Sequence, residues 1–182
     1  SILQKQKGTY FDTDINYLFD YDKRNQKFQP TDGFRSRFSQ SIPVVSDTYG
    51  LVNGYEYNLY NELPNEMIST FNFYAKTINS ISGEDVRISE RLYMPSTKLR
   101  GFERGKVGPR DSNDYVGGNY VTATTLAATL PNIMPNWQNA DFSVFFDAGN
   151  VWGVDYSSSV DDSNKLRSSA GVSLDWHTPV GP

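Results

Sequence analysis

The chain of 182 residues contains no cysteine and a single histidine. The absence of cysteine excludes a disulfide-stabilised scaffold and metal sites built from thiolates. No apolar run approaches the roughly 20 residues that a membrane-spanning helix needs, so the sequence excludes a helical membrane protein. The net charge is −4 and basic residues form no stripe, so nothing in the sequence points to a nucleic-acid partner.

Signatures of catalysis are also missing. The single histidine, His177, stands beside Trp176 near a turn signal, where interfacial packing explains it better than catalysis. Serine clusters fall in loop-like stretches, and no glycine-rich phosphate cradle precedes a helix. Asp161 and Asp162 lie in a polar stretch, which favours solvated loop charges over a calcium site. We therefore expect no enzymatic activity, no cofactor and no metal.

What the sequence does contain is a period-two pattern. Seven segments of about ten residues alternate between apolar and polar positions, and turn residues separate them, as in the strands of a membrane β-barrel. In the sixth segment, Phe142, Val144 and Phe146 fall on one face and Asp147 on the other. The seven segments cover residues 9–21, 33–45, 48–62, 67–79, 118–130, 141–152 and 166–176.

The alternation by itself also fits an antiparallel sheet with one solvated face. Two details favour a membrane barrel: aromatic residues cluster near the segment ends, and Lys and Arg are nearly absent from the apolar faces. A mean hydropathy of −0.56 is compatible with a barrel, because only every second residue of a barrel strand faces lipid. The predicted fold is therefore all-β, an antiparallel up-and-down transmembrane β-barrel.

The connections between the segments are unequal in length. Short turn signals occur at 30–33, 63–66 and 179–182, whereas residues 80–117 show little alternation. Placing the long connection outside puts the short turns on the periplasmic side, which is the usual polarity of such barrels. Single-chain bacterial barrels have even strand numbers, and lipid cannot satisfy open sheet edges. We therefore expect residues 1–182 to be part of one larger barrel domain.

Short motifs spread over the region 17–182 resemble the BamA-type superfamily of outer-membrane assembly and translocation barrels. The resemblance depends on their order and spacing, because each motif alone is weak. They are QPTDG at 29–33, RGF at 100–102, GP at 108–109, VGGN at 116–119, FFDAGNVW at 145–152, RSSAG at 167–171 and WHTPVGP at 176–182.

The resemblance implies the eighth to the fourteenth strand of a sixteen-stranded barrel, with a long outer lid loop over 81–117. The periplasmic repeats and the last two strands would be absent from this chain. The implied function is insertion and assembly of outer-membrane proteins in the bacterial outer membrane. The implied partners are outer-membrane lipids, unfolded client proteins and accessory assembly lipoproteins. A TamA-like or two-partner secretion barrel is an alternative with the same fold; a passive porin and a soluble β-sandwich binding module are alternatives from other classes.

In this family the lid loop folds back into the lumen, and the arginine of its RGF motif contacts acidic groups of the wall. Carried over, Arg100 reaches Asp147, Gly101 permits a tight backbone, and Phe102 anchors the tip by packing. A carboxylate inside a barrel needs a partner, and arginine offers it a planar two-pronged donor. The glycines carried over as loop and strand positions are Gly108, Gly117, Gly118 and Gly149.

One position departs from the family pattern. The family often has Glu on the strand after the lid loop, in the register of Ala127 here. Alanine cannot pair with Arg100. Either Asp147 alone holds the arginine, or another acid such as Glu56 or Glu103 compensates.

Overall fold

A computed structural model describes residues 8–47, 49–130, 140–155, 160 and 165–176 of the chain. Its main element is an antiparallel sheet of seven strands in which every strand pairs with the next long strand along the chain. These strands are β1 (Asp12–Asp22), β2 (Gly33–Ser46), β3 (Gly50–Glu62), β4 (Ile68–Ser80), β7 (Tyr120–Leu130), β8 (Ala140–Trp152) and β9 (Arg167–Trp176). Two short strands, β5 (Arg110–Asp111) and β6 (Asp114–Tyr115), form a hairpin between β4 and β7.

The predicted all-β, antiparallel, up-and-down fold is confirmed, and each of the seven predicted segments corresponds to one strand. The prediction did not anticipate an irregularity in the pairing of β1 with β2, between Thr13 and Asp14. Pro43 pairs with Asp14 at this point, and the next pair joins Thr13 to Val45. Proline has no N–H to donate to the ladder, which is why it occurs at such bulges.

The two faces of the sheet differ as the alternation predicts. Apolar residues on the outer face, which include Ile15, Phe19, Leu126 and Phe146, are exposed. Neighbouring aromatic rings on this face form a row across β1 to β4. The ring centroids are 5.8 Å apart for Tyr21 and Phe34, 5.8 Å for Phe34 and Tyr57, and 6.4 Å for Tyr57 and Phe71. None of the helical turns in the described part of the chain has the length and apolarity needed to cross a membrane.

The connection between β4 and β7 covers the inner face of β7 and β8. It contains residues 81–117, the region predicted as the lid loop, and we keep that name for it. It includes a 3₁₀ turn, Ile88–Glu90, and the β5–β6 hairpin. Where it rejoins the sheet, the N–H of Leu92 donates to the Gly118 carbonyl at 2.8 Å, and the N–H of Gly118 donates back at 2.9 Å. We call the end of the sheet at this loop the lid edge, and the opposite end, where β1 is followed by β2, the turn edge.

The apolar core lies between this loop and the wall. Burial of a leucine or valine side chain contributes about 1.5–3 kcal/mol, so this layer is a main source of attachment. The buried residues are Val86, Leu92, Met94, Leu99 and Val107 from the loop, Ile78 from β4, Val121 and Ala123 from β7, and Val151 from β8. The apolar residues on the inner face of β7 and β8 are therefore covered by the loop.

Some predicted features lie outside the described residues. They are the turn at 179–182, the loop charges Asp161 and Asp162, and His177. The turn signal at 63–66 corresponds to a 3₁₀ turn, Pro64–Glu66, between β3 and β4.

Candidate functional site: the attachment of the lid loop

The tip of the lid loop turns sharply at the RGF motif. Leu99 is fully buried just before the motif and fixes the chain against the core. Gly101 adopts a positive φ of 83°, a conformation that glycine reaches without steric cost. Phe102 packs against the buried core as a partly buried side chain. Anchored on both sides, Arg100 is directed toward the inner face of β8.

Arg100 contacts Asp147, whose side chain is 0% exposed in the middle of β8. The Arg100 Nε–H donates to Oδ2 at 2.7 Å, and its Nη2–H donates to Oδ1 at 2.8 Å. The backbone N–H of Arg100 adds a third bond, to Oδ2 at 3.1 Å. The hydroxyl of Thr125, the residue paired with Asp147 on β7, donates to Oδ1 at 2.8 Å. Four donors thus satisfy a carboxylate that would otherwise be costly to bury.

The guanidinium of Arg100 also lies over the ring of Phe145, with Cζ 3.4 Å from the ring centroid. The same ring covers Gly171 on β9, where an added Cβ would come within 2.8 Å of the Phe145 Cζ. A cation over an aromatic face adds an attraction beyond the ion pair. Phe145 and Thr125 were missed as site residues by the sequence analysis. The signal for Phe145 was present, because it is a bulky aromatic on a face that is otherwise small or polar.

Ala127 lies opposite Phe145 in the β7–β8 register. Neither of the two acids considered as compensation contacts Arg100. Glu56 lies 3.7 Å from the Lys98 Nζ, and Glu103 lies 2.7 Å from the Lys106 Nζ. Asp147 is the carboxylate that Arg100 contacts in the structure.

The four predicted glycines lie where another part of the chain comes close to the backbone. At Gly108, where φ is 114°, an added Cβ would meet the Val151 Cβ at 2.8 Å. At Gly149 it would meet the Met94 Cε at 2.7 Å, and at Gly118 the Trp152 carbonyl oxygen at 2.4 Å. At Gly117 it would meet the Leu92 carbonyl oxygen at 2.9 Å. At Gly108 and Gly149 the loop and the wall are therefore too close for a side chain, and at Gly117 two parts of the loop are.

The sequence of the chain matches a known protein family. The Omp85 superfamily domain matches residues 2–182. The chain belongs to the Omp85 superfamily. This result confirms the resemblance to BamA-type barrels.

The curated relatives of this Omp85 chain carry the name outer membrane protein assembly factor BamA. The protein from Neorickettsia risticii is 26% identical over 184 residues, which cover 98% of this chain and 25% of the relative. The protein from Nitratidesulfovibrio vulgaris is 23% identical over 192 residues, which cover 99% and 23%. The chain thus spans about a quarter of the length of these relatives.

A solved structure is also similar. The crystal structure of BamA from Haemophilus ducreyi lacking POTRA domains 1–3 matches with a TM-score of 0.79 and 26% identity. The match covers 93% of this chain and 37% of the crystallised chain. The seven-stranded sheet therefore has the fold of part of a BamA barrel.

The inner wall of the Omp85 chain carries a second set of charges, on β1 to β3. Arg35 donates from Nε to the Asp20 Oδ1 at 2.9 Å and from Nη2 to the other oxygen. Arg37 lies 3.7 Å from Asp20 and 3.6 Å from Glu56. Across the residues that the structure describes, no group of three or more acidic or histidine side chains is arranged to hold a metal ion.

Proposed function

We propose that the protein containing this chain is an outer-membrane protein assembly factor of the BamA type, located in the bacterial outer membrane. In this proposal the chain supplies part of the barrel wall and the lid loop. The observation that carries the proposal is the contact of Arg100, at the tip of the loop, with the buried Asp147 of the wall. The name shared by the relatives supports it.

The proposal treats residues 1–182 as part of one transmembrane barrel. Periplasmic repeats and two further strands belong to other parts of the full-length protein. Support comes from the share of the relatives that the chain spans, about a quarter of their length. The exposed apolar residues of the outer face, such as Phe19 and Phe146, suit contact with lipid tails.

The proposed activity needs no covalent chemistry. Unfolded outer-membrane proteins are the clients, and an open strand edge of the full barrel templates their strands by backbone hydrogen bonding. That edge lies outside this chain. The role proposed for the lid loop is to stabilise the wall from inside, because its apolar residues and Arg100 cover the inner face of β7 and β8. Accessory lipoproteins are proposed to bind through the periplasmic repeats.

The test uses the full-length protein in lipid vesicles. A urea-unfolded outer-membrane protein is added as client, and its folded fraction is followed by its heat-dependent mobility on gels. We expect folding to be faster than in protein-free vesicles or in vesicles with a porin. No acceleration by a correctly folded protein would contradict the proposal.

The alternatives give different results in the same vesicles. A two-partner secretion barrel moves a soluble client into the vesicle lumen without inserting it in the membrane. A passive porin conducts ions steadily in planar bilayers and leaves client folding unchanged. Either result would replace the assembly proposal.

A further inference from the structure

The residues just before the RGF tip hold the loop at two distant points of the sheet. We call residues 86–92 the lid base. We propose that the lid base is a strut that fixes the separation between β1 and the end of β8 at the lid edge. This role goes beyond client assembly, because it concerns the width of the barrel at the lid edge.

One end of the strut is Arg87, whose side chain is 7% exposed. Its Nη2–H donates to the Asp12 Oδ2 at 2.7 Å and to the Glu90 Oε1 at 2.6 Å. Its guanidinium lies over the ring of Tyr10, 4.1 Å from the centroid. Asp12 is the first residue of β1 and also accepts the hydroxyl of Ser46 at 2.5 Å. This end of the strut is therefore bound to the paired start of β1 and end of β2.

The other end of the strut is Arg91, whose side chain is 0% exposed. It donates to the Val86 carbonyl at 3.0 Å and to the Asp155 carboxylate. Asp155 follows the end of β8 and accepts the N–H of Val86 at 2.9 Å and the amide of Asn119 at 3.1 Å. Burial raises the pKa of Asp155, but these donors and Arg91 outweigh it and hold the pKa below its ordinary value. The carboxylate is thus kept charged, which preserves the ion pair at this end.

Between its two ends the lid base is short and hydrogen-bonded. The N–H of Glu90 donates to the Arg87 carbonyl at 3.0 Å, and the N–H of Arg91 donates to the Ile88 carbonyl at 3.3 Å. Val86 and Leu92 are buried in the core. Because the segment already makes these bonds, it cannot lengthen without breaking one of them.

The strut connects strands that are not neighbours in the sheet. In the sheet, β2, β3 and β4 lie between β1 and β7, so no ladder joins β1 directly to β7 or β8. The lid base joins these distant strands across the inner face at the lid edge. Removing Arg87 or Arg91 should therefore let β1 and β8 move apart at that edge.

Distance measurement by pulsed electron resonance tests the strut. Spin labels are placed at Thr13→Cys on β1 and Ser168→Cys on β9, both exposed positions near the lid edge. The chain has no cysteine of its own, so only cysteines elsewhere in the full-length protein need replacing. In Arg87→Ala and in Arg91→Ala we expect a longer and broader distance distribution than in the parent protein. An unchanged distribution in both variants would overturn the proposal.

Two controls keep the test specific. Lys106→Ala removes another charge of the loop, in an exposed pair with Glu103, and should leave the distance unchanged. An equal widening in Lys106→Ala would contradict the strut. Asp12→Asn weakens the first end of the strut without changing a residue of the loop. It replaces the arginine variants if they do not fold. An unchanged distance in Asp12→Asn would count against the proposal. The measurement needs no client protein, so its failure is separate from failure of the assembly proposal.

Discussion

Two arginine–aspartate pairs on the inner face differ more in surroundings than in geometry. Arg100 donates from Nε and Nη2 to the two oxygens of Asp147, and Arg35 does the same to Asp20. The two carboxylates differ in burial: the Asp147 side chain is 0% exposed and that of Asp20 is 30% exposed. The two arginines are alike, with Arg100 33% and Arg35 28% exposed. The first pair lies on the wall that the loop covers, β7 and β8. The second lies on the wall from β1 to β3, which the loop contacts at Asp12 and Glu56 and which we call the open wall because Arg35 and Asp20 stay partly exposed there.

We therefore expect the burial of the carboxylate, rather than the hydrogen-bond geometry, to decide how much each pair contributes to stability. An exposed pair in water contributes little, because solvent screens the charges and holding long side chains costs entropy. Removing one partner of a buried pair leaves an uncompensated charge, which is strongly destabilising. The covered wall should therefore be sensitive to substitutions that the open wall tolerates.

The largest difference is expected between Arg100→Ala and Arg35→Ala. Arg100→Ala leaves Asp147 buried with only Thr125 as a side-chain donor, and we expect a loss of about 3–5 kcal/mol in the free energy of unfolding. Arg35→Ala should cost about 0–1 kcal/mol. Urea unfolding of the full-length protein in lipid vesicles measures both. Equal stability of the two variants, with full complementation of assembly by Arg100→Ala, would contradict the comparison.

A second contrast uses two glycines whose added Cβ would meet different kinds of atom. In Gly118→Ala the Cβ would meet the backbone oxygen of Trp152 at 2.4 Å, which can move only with the strand. In Gly54→Ala it would meet the Ser39 hydroxyl at 2.6 Å, and that side chain can rotate away. We expect a cost of about 1–3 kcal/mol for Gly118→Ala. Gly54→Ala should be close to neutral. The melting temperatures of the two variants measure the difference. A larger decrease for Gly54→Ala would show that the open wall is packed more tightly at this position.

A third contrast separates the two faces of β8. Phe145→Leu removes the ring that lies between Arg100 and Gly171, and we expect a loss of about 1 kcal/mol. Phe146→Leu keeps an apolar side chain on the exposed outer face and should change stability less. The same urea titration measures both, and proteolysis at the exposed Arg104 reports whether the loop loosens. If Phe146→Leu has the larger effect, the stacking of Arg100 on Phe145 adds no stability.

The strands could be predicted from the sequence because the face on which a strand residue lies depends only on its position along the strand. A residue in a strand faces one side or the other by its position, so the alternation around Asp147 already placed it on the face opposite Phe146. The charges of the open wall follow the same rule, and Arg35 and Arg37 fall on the inner face.

The lid base could not be predicted in this way. Arg87 and Arg91 lie in a segment without period-two alternation, and their partners Asp12 and Asp155 are 75 and 64 residues away in sequence. Such pairings depend on how the loop folds across the sheet. The RGF tip was found only because it resembles a family motif, not because of any local pattern.

The smallest expected effect is a dependence on pH at the lid base. The pKa of Asp155 is held below its ordinary value of 3.8, so its contribution to stability is complete above that pH. The contribution is lost as the pH falls through the lowered pKa, because the protonated acid no longer pairs with Arg91. The effect is confined to acid conditions, because the pKa of Asp155 lies below 3.8 and the carboxylate stays charged at neutral pH. The melting temperatures of the parent protein and of Asp155→Asn should therefore be similar in acid and differ at neutral pH. A difference that stays constant from neutral pH into acid would mean that Asp155 does not titrate over that range.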